Sequence, residues 1–137
     1  MKNKGFTLIE LLVAMTIASI LMGLALVSYQ GARKSARDGK RKTDLEQIRS
    51  ALEMCRADTG SYPATIYDSN GNISCGTQTY LSGTPKDPIT QDPYYYSRPA
   101  ASNYTLCAYF EVGGVSGSCG SADCGSGRIC NYKVTNP

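Results

Sequence analysis

The sequence predicts an α+β protein in which a long N-terminal helix packs against a small antiparallel β-sheet. Three observations support this class. Residues 6–29 are apolar and numerous enough for a membrane-spanning helix. Residues 30–59 continue with helical periodicity and predict the amphipathic second half of that helix. Residues 60–137, the head, hold short alternating segments between glycines and prolines, which is typical of strands.

The apolar segment contains one charged residue, Glu10. Its 24 residues, Phe6 to Tyr29, would span about 36 Å as a helix, which is enough to cross the apolar core of a bilayer. A carboxylate in hydrocarbon costs about 2.5–3.5 kcal/mol and requires a partner or a functional reason. We therefore expect Glu10 to pair with a cation.

The start of the chain carries a recognisable motif. After a short basic leader, the segment Gly5–Val13 reads GFTLIELLV and resembles the class III signal of type IV pilins and type II secretion pseudopilins. The resemblance implies that a prepilin peptidase cleaves between Gly5 and Phe6 and methylates the new amino terminus of Phe6. Glu10 matches the glutamate that this family carries five residues into the mature chain. An ordinary signal anchor with an incidental glutamate is the alternative.

The resemblance and the charge argument agree on how subunits would assemble. The amino terminus of Phe6 in a neighbouring subunit is a natural partner for Glu10 in a medium that penalises unpaired charge. Phe6 and Glu10 are therefore the predicted subunit-assembly residues. The predicted regions are the prepilin leader, the transmembrane or filament-core helix, the amphipathic helix, and the disulfide-bonded loop and sheet head of a pilin fold (1–5, 6–29, 30–59 and 60–137).

A basic collar follows the apolar segment. It consists of six cations within ten residues: Arg33, Lys34, Arg37, Lys40, Arg41 and Lys42. We expect the collar to contact an anionic surface. The candidates are a lipid headgroup layer, an envelope polymer, acidic faces of neighbouring subunits and DNA phosphates. A solvated helix face is the alternative.

The collar and the cysteines predict opposite orientations. Cations after the span favour a cytoplasmic head by the positive-inside rule. Six cysteines, an even number in a small head, favour disulfides in an oxidising compartment. We follow the cysteines and the leader, and predict a single-pass inner-membrane precursor with its head outside. After assembly it would form a cell-surface or periplasmic filament.

Within the head, the pattern predicts loops and three strands. Gly60 and Pro63 mark the end of the helix, and residues 61–93 are predicted to be loop. The predicted strands are 94–96, 104–111 and 128–134. In the second of these, alternate residues from Tyr104 to Phe110 would cover an apolar helix stripe formed by Leu45, Ile48, Leu52 and Cys55.

The six cysteines allow 15 connectivities. The expected positions of helix and strands favour three pairs: Cys55–Cys75, Cys107–Cys130 and Cys119–Cys124. A four-cysteine zinc site is the alternative for the last four cysteines, although it lacks a tight C-x₂-C pair.

Two further site hypotheses concern the head. Asp87 and Asp92 are weak candidates for a calcium site, but each precedes a proline, and Asp-Pro pairs more often form turns. Many major pseudopilins, which the chain resembles, bind calcium through aspartates in a late loop; that loop here offers only Asp123. No cofactor is therefore predicted.

The chain is predicted not to be an enzyme. It lacks histidine, which removes Ser-His-Asp and Cys-His nucleophiles, and no glycine loop carries the residues that bind phosphate. Ten tyrosines without tryptophan favour a half-buried strand and, as the alternative, a binding face.

The predicted function is a structural subunit of a type IV pilus-like filament that serves attachment, motility, DNA uptake or secretion. The six cysteines and the missing calcium loop favour a pilin over its alternative, a type II secretion major pseudopilin. A monomeric, membrane-anchored, tyrosine-rich binding module is the alternative of another class. Expected partners are further copies of the chain, minor pilins, the prepilin peptidase, an inner-membrane assembly platform, and DNA or anionic envelope polymers.

Overall fold

The computed structural model describes residues 5–113, 117 and 119–136. It has one long helix and five short strands. These are α1 (Leu8–Thr59), β1 (Ile73–Cys75), β2 (Gln78–Leu81), β3 (Tyr95–Ala100), β4 (Asn103–Ala108) and β5 (Tyr132–Thr135). The chain divides into two compact units, the first ending at Lys34 and the second beginning at Ser35.

In the first unit, the apolar part of α1 exposes its side chains. An 18-residue window has a mean hydropathy of 2.4 and is not buried against the rest of the chain. By length and composition this helix can cross a membrane. The predicted helix of residues 6–59 differs from α1 by two residues at its start.

In the second unit, the core lies between α1 and the sheet. The predicted stripe of Leu45, Ile48, Leu52 and Cys55 is fully buried on α1. Alternate residues of β4 pack against it: Tyr104, Leu106 and Ala108 are buried, and Phe110 is partly buried beside them. The predicted packing of strand on helix is therefore confirmed.

The main sheet is antiparallel, in the order β3-β4-β5. Its register places Tyr95 opposite Cys107 and Leu106 opposite Val134. The last strand is shorter than predicted. Residues 128–131 belong instead to a closed loop, in which the Cys124 N–H donates to the Arg128 carbonyl at 2.8 Å.

A second, two-stranded sheet lies where a loop was predicted. Strands β1 and β2 form an antiparallel hairpin, so the prediction of loop throughout residues 61–93 is wrong. The strands have only three and four residues, too few to show a clear alternation. Burial of Ile73 in the core and the bridge from Cys75 to α1 hold the hairpin in place.

All six cysteines form disulfides, but two of the three predicted pairs are wrong. The bonds are Cys55–Cys75, Cys107–Cys119 and Cys124–Cys130, with Cα–Cα distances of 5.9, 6.3 and 5.2 Å. Only the first matches its prediction.

Strand register explains why Cys107 does not pair with Cys130. Cys107 lies opposite Lys133, three residues beyond Cys130, so Cys130 is offset by about 10 Å along the strand direction. Disulfides require Cα atoms within about 7 Å. The same bonds leave no thiolate for the alternative zinc site, because all four of its cysteines are oxidised.

Candidate functional site

The start of α1 is organised by a capping box between Thr7 and Glu10. The Thr7 N–H and hydroxyl donate to Oε2 of Glu10 at 3.0 and 2.8 Å. In return, the Glu10 N–H donates to the Thr7 hydroxyl at 3.3 Å. This reciprocal arrangement satisfies donors that the first helical turn leaves free. It also fixes the direction of the Glu10 carboxylate.

The basic collar contains exposed cations and cations that are paired within the chain. Four of its cations are exposed: Arg33, Lys34, Lys40 and Lys42. Arg37 and Arg41 instead bind carboxylates within the second unit. Because Arg41 is completely buried, the prediction that it contacts an external anionic surface is wrong. For the other five collar residues, that contact stays a prediction.

Arg41 lies at the centre of an ionic cluster and is completely buried. Its Nε and Nη2 donate to the two oxygens of Asp87 at 2.7 and 3.3 Å. Its Nη1 donates to Asp38 at 2.8 Å and to Glu111 at 2.9 Å. Arg37 completes the cluster by donating to both oxygens of Glu111 at 2.7 and 2.6 Å. We call these five residues the arginine cluster.

Backbone N–H groups donate further hydrogen bonds to two carboxylates of the arginine cluster, Asp38 and Asp87. Asp38 accepts from the N–H groups of Glu111 and Val112 at 2.8–3.0 Å. Asp87 accepts from the N–H groups of Ile89 and Thr90 at 2.9 and 3.1 Å. Because buried charges are costly unless they are paired and hydrogen-bonded, these bonds help to offset the cost of packing three carboxyl groups around one guanidinium.

The pKa values reflect this arrangement. Hydrogen bonds from Arg37 and then Arg41, against the effect of burial, lower the pKa of Glu111 to about 2. Burial alone would raise the pKa of Asp87, but hydrogen bonds from Arg41 and from backbone N–H groups lower it. For Arg41, burial is likewise outweighed by the three carboxylates, which raise the pKa of the guanidinium. All three groups are held in their charged forms.

The calcium hypothesis for Asp87 and Asp92 does not fit this geometry. Both oxygens of Asp87 face Arg41, and the guanidinium takes the place that a metal ion would need. The Asp92 carboxylate lies directly against Gly125, where a Cβ atom would overlap it. Within the described ranges, no group of three or more acidic or cysteine side chains is arranged to hold a metal.

The tyrosine-rich segment is part of the packed structure. Tyr94 and Tyr104 are buried, and the Tyr94 hydroxyl donates to Asp44 at 2.8 Å. The Tyr96 hydroxyl donates to the Pro63 carbonyl at 2.7 Å, and burial raises the pKa of Tyr96 to about 12. Only Tyr95 of this run is exposed. The half-buried strand is confirmed, and the segment does not present an open aromatic face.

Sequence reasoning assigned Thr7, Asp38 and Glu111 to no site, and it expected Arg41 to contact an external surface. The spacing Thr7-x-x-Glu10 is the signature of a capping box. Arg41 precedes Leu45 by four residues and Ile48 by seven, so it continues the buried stripe of α1. A cation in phase with apolar residues could have signalled a buried ion pair.

Comparisons with known proteins identify the family. Residues 1–26 match the profile described as the prokaryotic N-terminal methylation motif. Residues 28–127, more than half of the chain, match the profile described as type II secretion system protein G. The chain belongs to the type II secretion system protein G family. The two matches cover the apolar segment and nearly all of the second unit of this family member.

Curated relatives of this protein G family member carry the name type II secretion system core protein G. The Vibrio cholerae protein is 28% identical over 145 residues, which cover 96% of this chain and 97% of the relative. The Pseudomonas aeruginosa protein is 29% identical over 136 residues, covering 91% and 95%. The Klebsiella pneumoniae protein is 33% identical over 98 residues, covering 68% and 70%. No solved structure matches the chain significantly.

Membership of the protein G family revises the order of the predicted functions. A filament subunit of the pilin type is confirmed, but the family favours the secretion pseudopilin over the pilus subunit that the cysteines had placed first. Disulfides and a missing calcium loop were a poor guide because they describe how the head is stabilised. They do not report which assembly system it serves. The protein G family is structural and not enzymatic.

Proposed function

We propose that this chain is the major pseudopilin of a type II secretion system. It would polymerise with itself and with other pseudopilins into a periplasmic filament. The observation that carries the proposal is the joint match of the methylation motif and the protein G profile, in the order and positions a pseudopilin requires. The exposed apolar length of α1 supports it, because such a surface requires either a membrane or neighbouring helices around it.

In the proposed pathway, a prepilin peptidase cleaves after Gly5 and methylates Phe6. The new amino terminus then pairs with Glu10 of a neighbouring subunit. The capping box supports this step because Thr7 holds the Glu10 carboxylate through Oε2 at the very start of the helix. An ion pair between subunits would fix the axial position of each helix, since an unpaired carboxylate in an apolar filament core is costly.

The proposed location follows from the disulfides. Three disulfides within the head and its helix are typical of proteins that fold in an oxidising compartment such as the periplasm. The precursor would therefore span the inner membrane with its head outside. An inner-membrane assembly platform and minor pseudopilins would be its partners in polymerisation.

Substitution of Glu10 tests the assembly mechanism. We expect Glu10→Ala to abolish filaments and secretion while the protein stays processed and membrane-bound, because the charge that pairs with the neighbouring amino terminus is lost. The substitution also removes the two hydrogen bonds that Thr7 donates to the carboxylate. The measurement is the amount of sheared filament and of secreted substrate in cells that carry the variant as their only copy.

Glu46→Ala is the matched control. Glu46 is half exposed, with only a 3.6 Å contact to Arg49, so its removal deletes a carboxylate from α1 without touching the proposed pair. Normal filaments from Glu10→Ala, or equal loss from both variants, would contradict the mechanism.

Intact-mass analysis without reductant tests processing and orientation together. The proposal predicts loss of Met1–Gly5, addition of one methyl group and absence of the six thiol hydrogens. A chain that retains its leader or its thiols would refute the prepilin pathway or the outward head, respectively.

A further inference from the structure

Three polar or cationic side chains lie close together in sequence at the end of the apolar segment. Tyr29 is 59% exposed, and the guanidinium carbon of Arg33 lies 5.4 Å from the centre of its ring. Lys34 follows directly and is exposed. All three belong to the first unit. We call Tyr29, Arg33 and Lys34 the interfacial group.

The position of this group along the chain matches the polar layer of a membrane. The headgroup region adds about 5–8 Å on each side of the apolar core. Arg33 comes four residues after Tyr29, a rise of about 6 Å in a helix. Tyrosine is enriched at this depth because its ring is apolar and its hydroxyl polar. Long cationic side chains extend from the helix ends towards phosphates at the same depth.

We propose that the interfacial group binds the phosphate of anionic phospholipids. The guanidinium can donate two parallel hydrogen bonds to phosphate oxygens, and its stacking on Tyr29 holds it ready to do so. Lys34 adds a second positive charge. The interaction sets the depth at which the subunit waits in the membrane before polymerisation, and must be broken when the helix leaves the bilayer.

The geometry favours lipid over a protein or nucleic-acid partner. Consecutive residues in a helix point about 100° apart, so Arg33 and Lys34 leave different sides of α1. A headgroup layer surrounds a helix and contacts both sides, whereas a folded partner or a DNA duplex approaches from one. Moreover, Arg37 and Arg41 are already neutralised by carboxylates, which removes them from any extended cationic face.

The test is a lipid titration with the full chain in non-ionic detergent. Phosphatidylglycerol is added in increasing amounts, and bound lipid is counted by native mass spectrometry. We expect Arg33→Gln/Lys34→Gln to bind roughly 30-fold more weakly than the wild type, since each cation near a lipid surface contributes about 1 kcal/mol. Lys40→Gln/Lys42→Gln removes the same charge from two other exposed collar residues and should leave binding unchanged.

Two further arms identify the ligand and the role of the ring. Tyr29→Leu should weaken binding about 2- to 5-fold, the range expected for an exposed cation–π contact. Phosphatidylcholine and free inorganic phosphate, each tested as a competitor, should not displace phosphatidylglycerol. Thermal unfolding of each variant checks that the second unit is intact.

Several results would overturn the proposal. Equal weakening by the two double variants would show that net charge, and not the interfacial group, attracts the lipid. Unchanged binding by Arg33→Gln/Lys34→Gln would exclude the group as the site. Displacement of the lipid by free phosphate would identify phosphate as the better ligand, and displacement by phosphatidylcholine would show that the group does not select anionic lipids. None of these results depends on whether the chain serves a secretion system.

Discussion

The arginine cluster predicts a large loss of stability when its central cation is removed. In Arg41→Met, a side chain of similar length replaces the guanidinium and leaves three carboxylates without their shared partner. Removal of one member of a buried ion pair costs about 3–5 kcal/mol.

The structure places this variant near the lower end of that range. After substitution, Asp38 keeps two backbone donors, Asp87 keeps two, and Glu111 keeps Arg37. We therefore expect the free energy of unfolding to fall by about 3 kcal/mol, a large fraction of the 5–15 kcal/mol of an ordinary domain.

Denaturation of the full chain in detergent measures this loss. The ten tyrosines and the lack of tryptophan make near-ultraviolet circular dichroism of tyrosine the direct signal. With an m value of about 1.5 kcal/mol per molar urea, the transition midpoint should fall by roughly 2 M. Lys42→Met is the matched control, because Lys42 is exposed on the same stretch of α1.

A double-mutant cycle identifies the interaction responsible. Asp87→Asn retains an oxygen acceptor for the N–H groups of Ile89 and Thr90 but removes the charge that faces Arg41. The cost of Arg41→Met should be smaller in that background by about 1–2 kcal/mol. Our reasoning would be refuted if Arg41→Met and Lys42→Met were equally stable, or if the two cluster substitutions were strictly additive.

Three further predictions concern the head. The pKa of Glu111 is lowered to about 2 in the folded chain, against about 4.5 in an unfolded chain. Between these pH values the unfolded state binds more protons, so the free energy of unfolding should fall as the pH drops from about 4.5 to 2. Glu111→Gln should flatten this dependence in urea titrations at pH 3 and 7. Gly125→Ala should lower the free energy of unfolding by about 1–3 kcal/mol, because φ is +93° and the added methyl would overlap Asp92. Gly127 also has a positive φ but has open space around it, so Gly127→Ala should lower the free energy of unfolding by less in the same assay. Reduction of all three disulfides should lower the free energy of unfolding by several kcal/mol. About 3 kcal/mol of this loss should come from the Cys55–Cys75 bond, which spans 20 residues. Unfolding transitions that coincide with and without reductant would contradict this prediction.

The helix was predictable from sequence because its signals extend over many residues. Apolar content identified the first half, and the stripe from Leu45 to Cys55 identified the second. Gly60 marked the end: it adopts φ +77°, a conformation that glycine takes without strain. Strand β4 was predictable for the same reason, since its alternation of buried residues continues over several positions.

The parts that were mispredicted depend on contacts distant in sequence. The β1–β2 hairpin is held through two of its own residues, Ile73 and Cys75, but the core and the helix that these residues contact are distant in sequence. The pairing of Cys107 depends on the register between β4 and β5, which a one-residue slip would change. The role of Arg41 depends on Asp87 and Glu111, which come 46 and 70 residues later.

Besides the apolar core, one ionic and one covalent attachment join the head to α1 and have a mechanical consequence. Arg41 and Cys55 are 14 residues apart, about 21 Å along the helix axis. The arginine cluster joins α1 to Asp87 and Glu111 near one level, and the Cys55–Cys75 bond joins it to the β1–β2 hairpin near the other. With a single attachment, a force perpendicular to the helix axis would rotate the head about that point. With two, one ionic and one covalent, the torque is opposed at both levels, and a force applied to the head is transmitted into the helix.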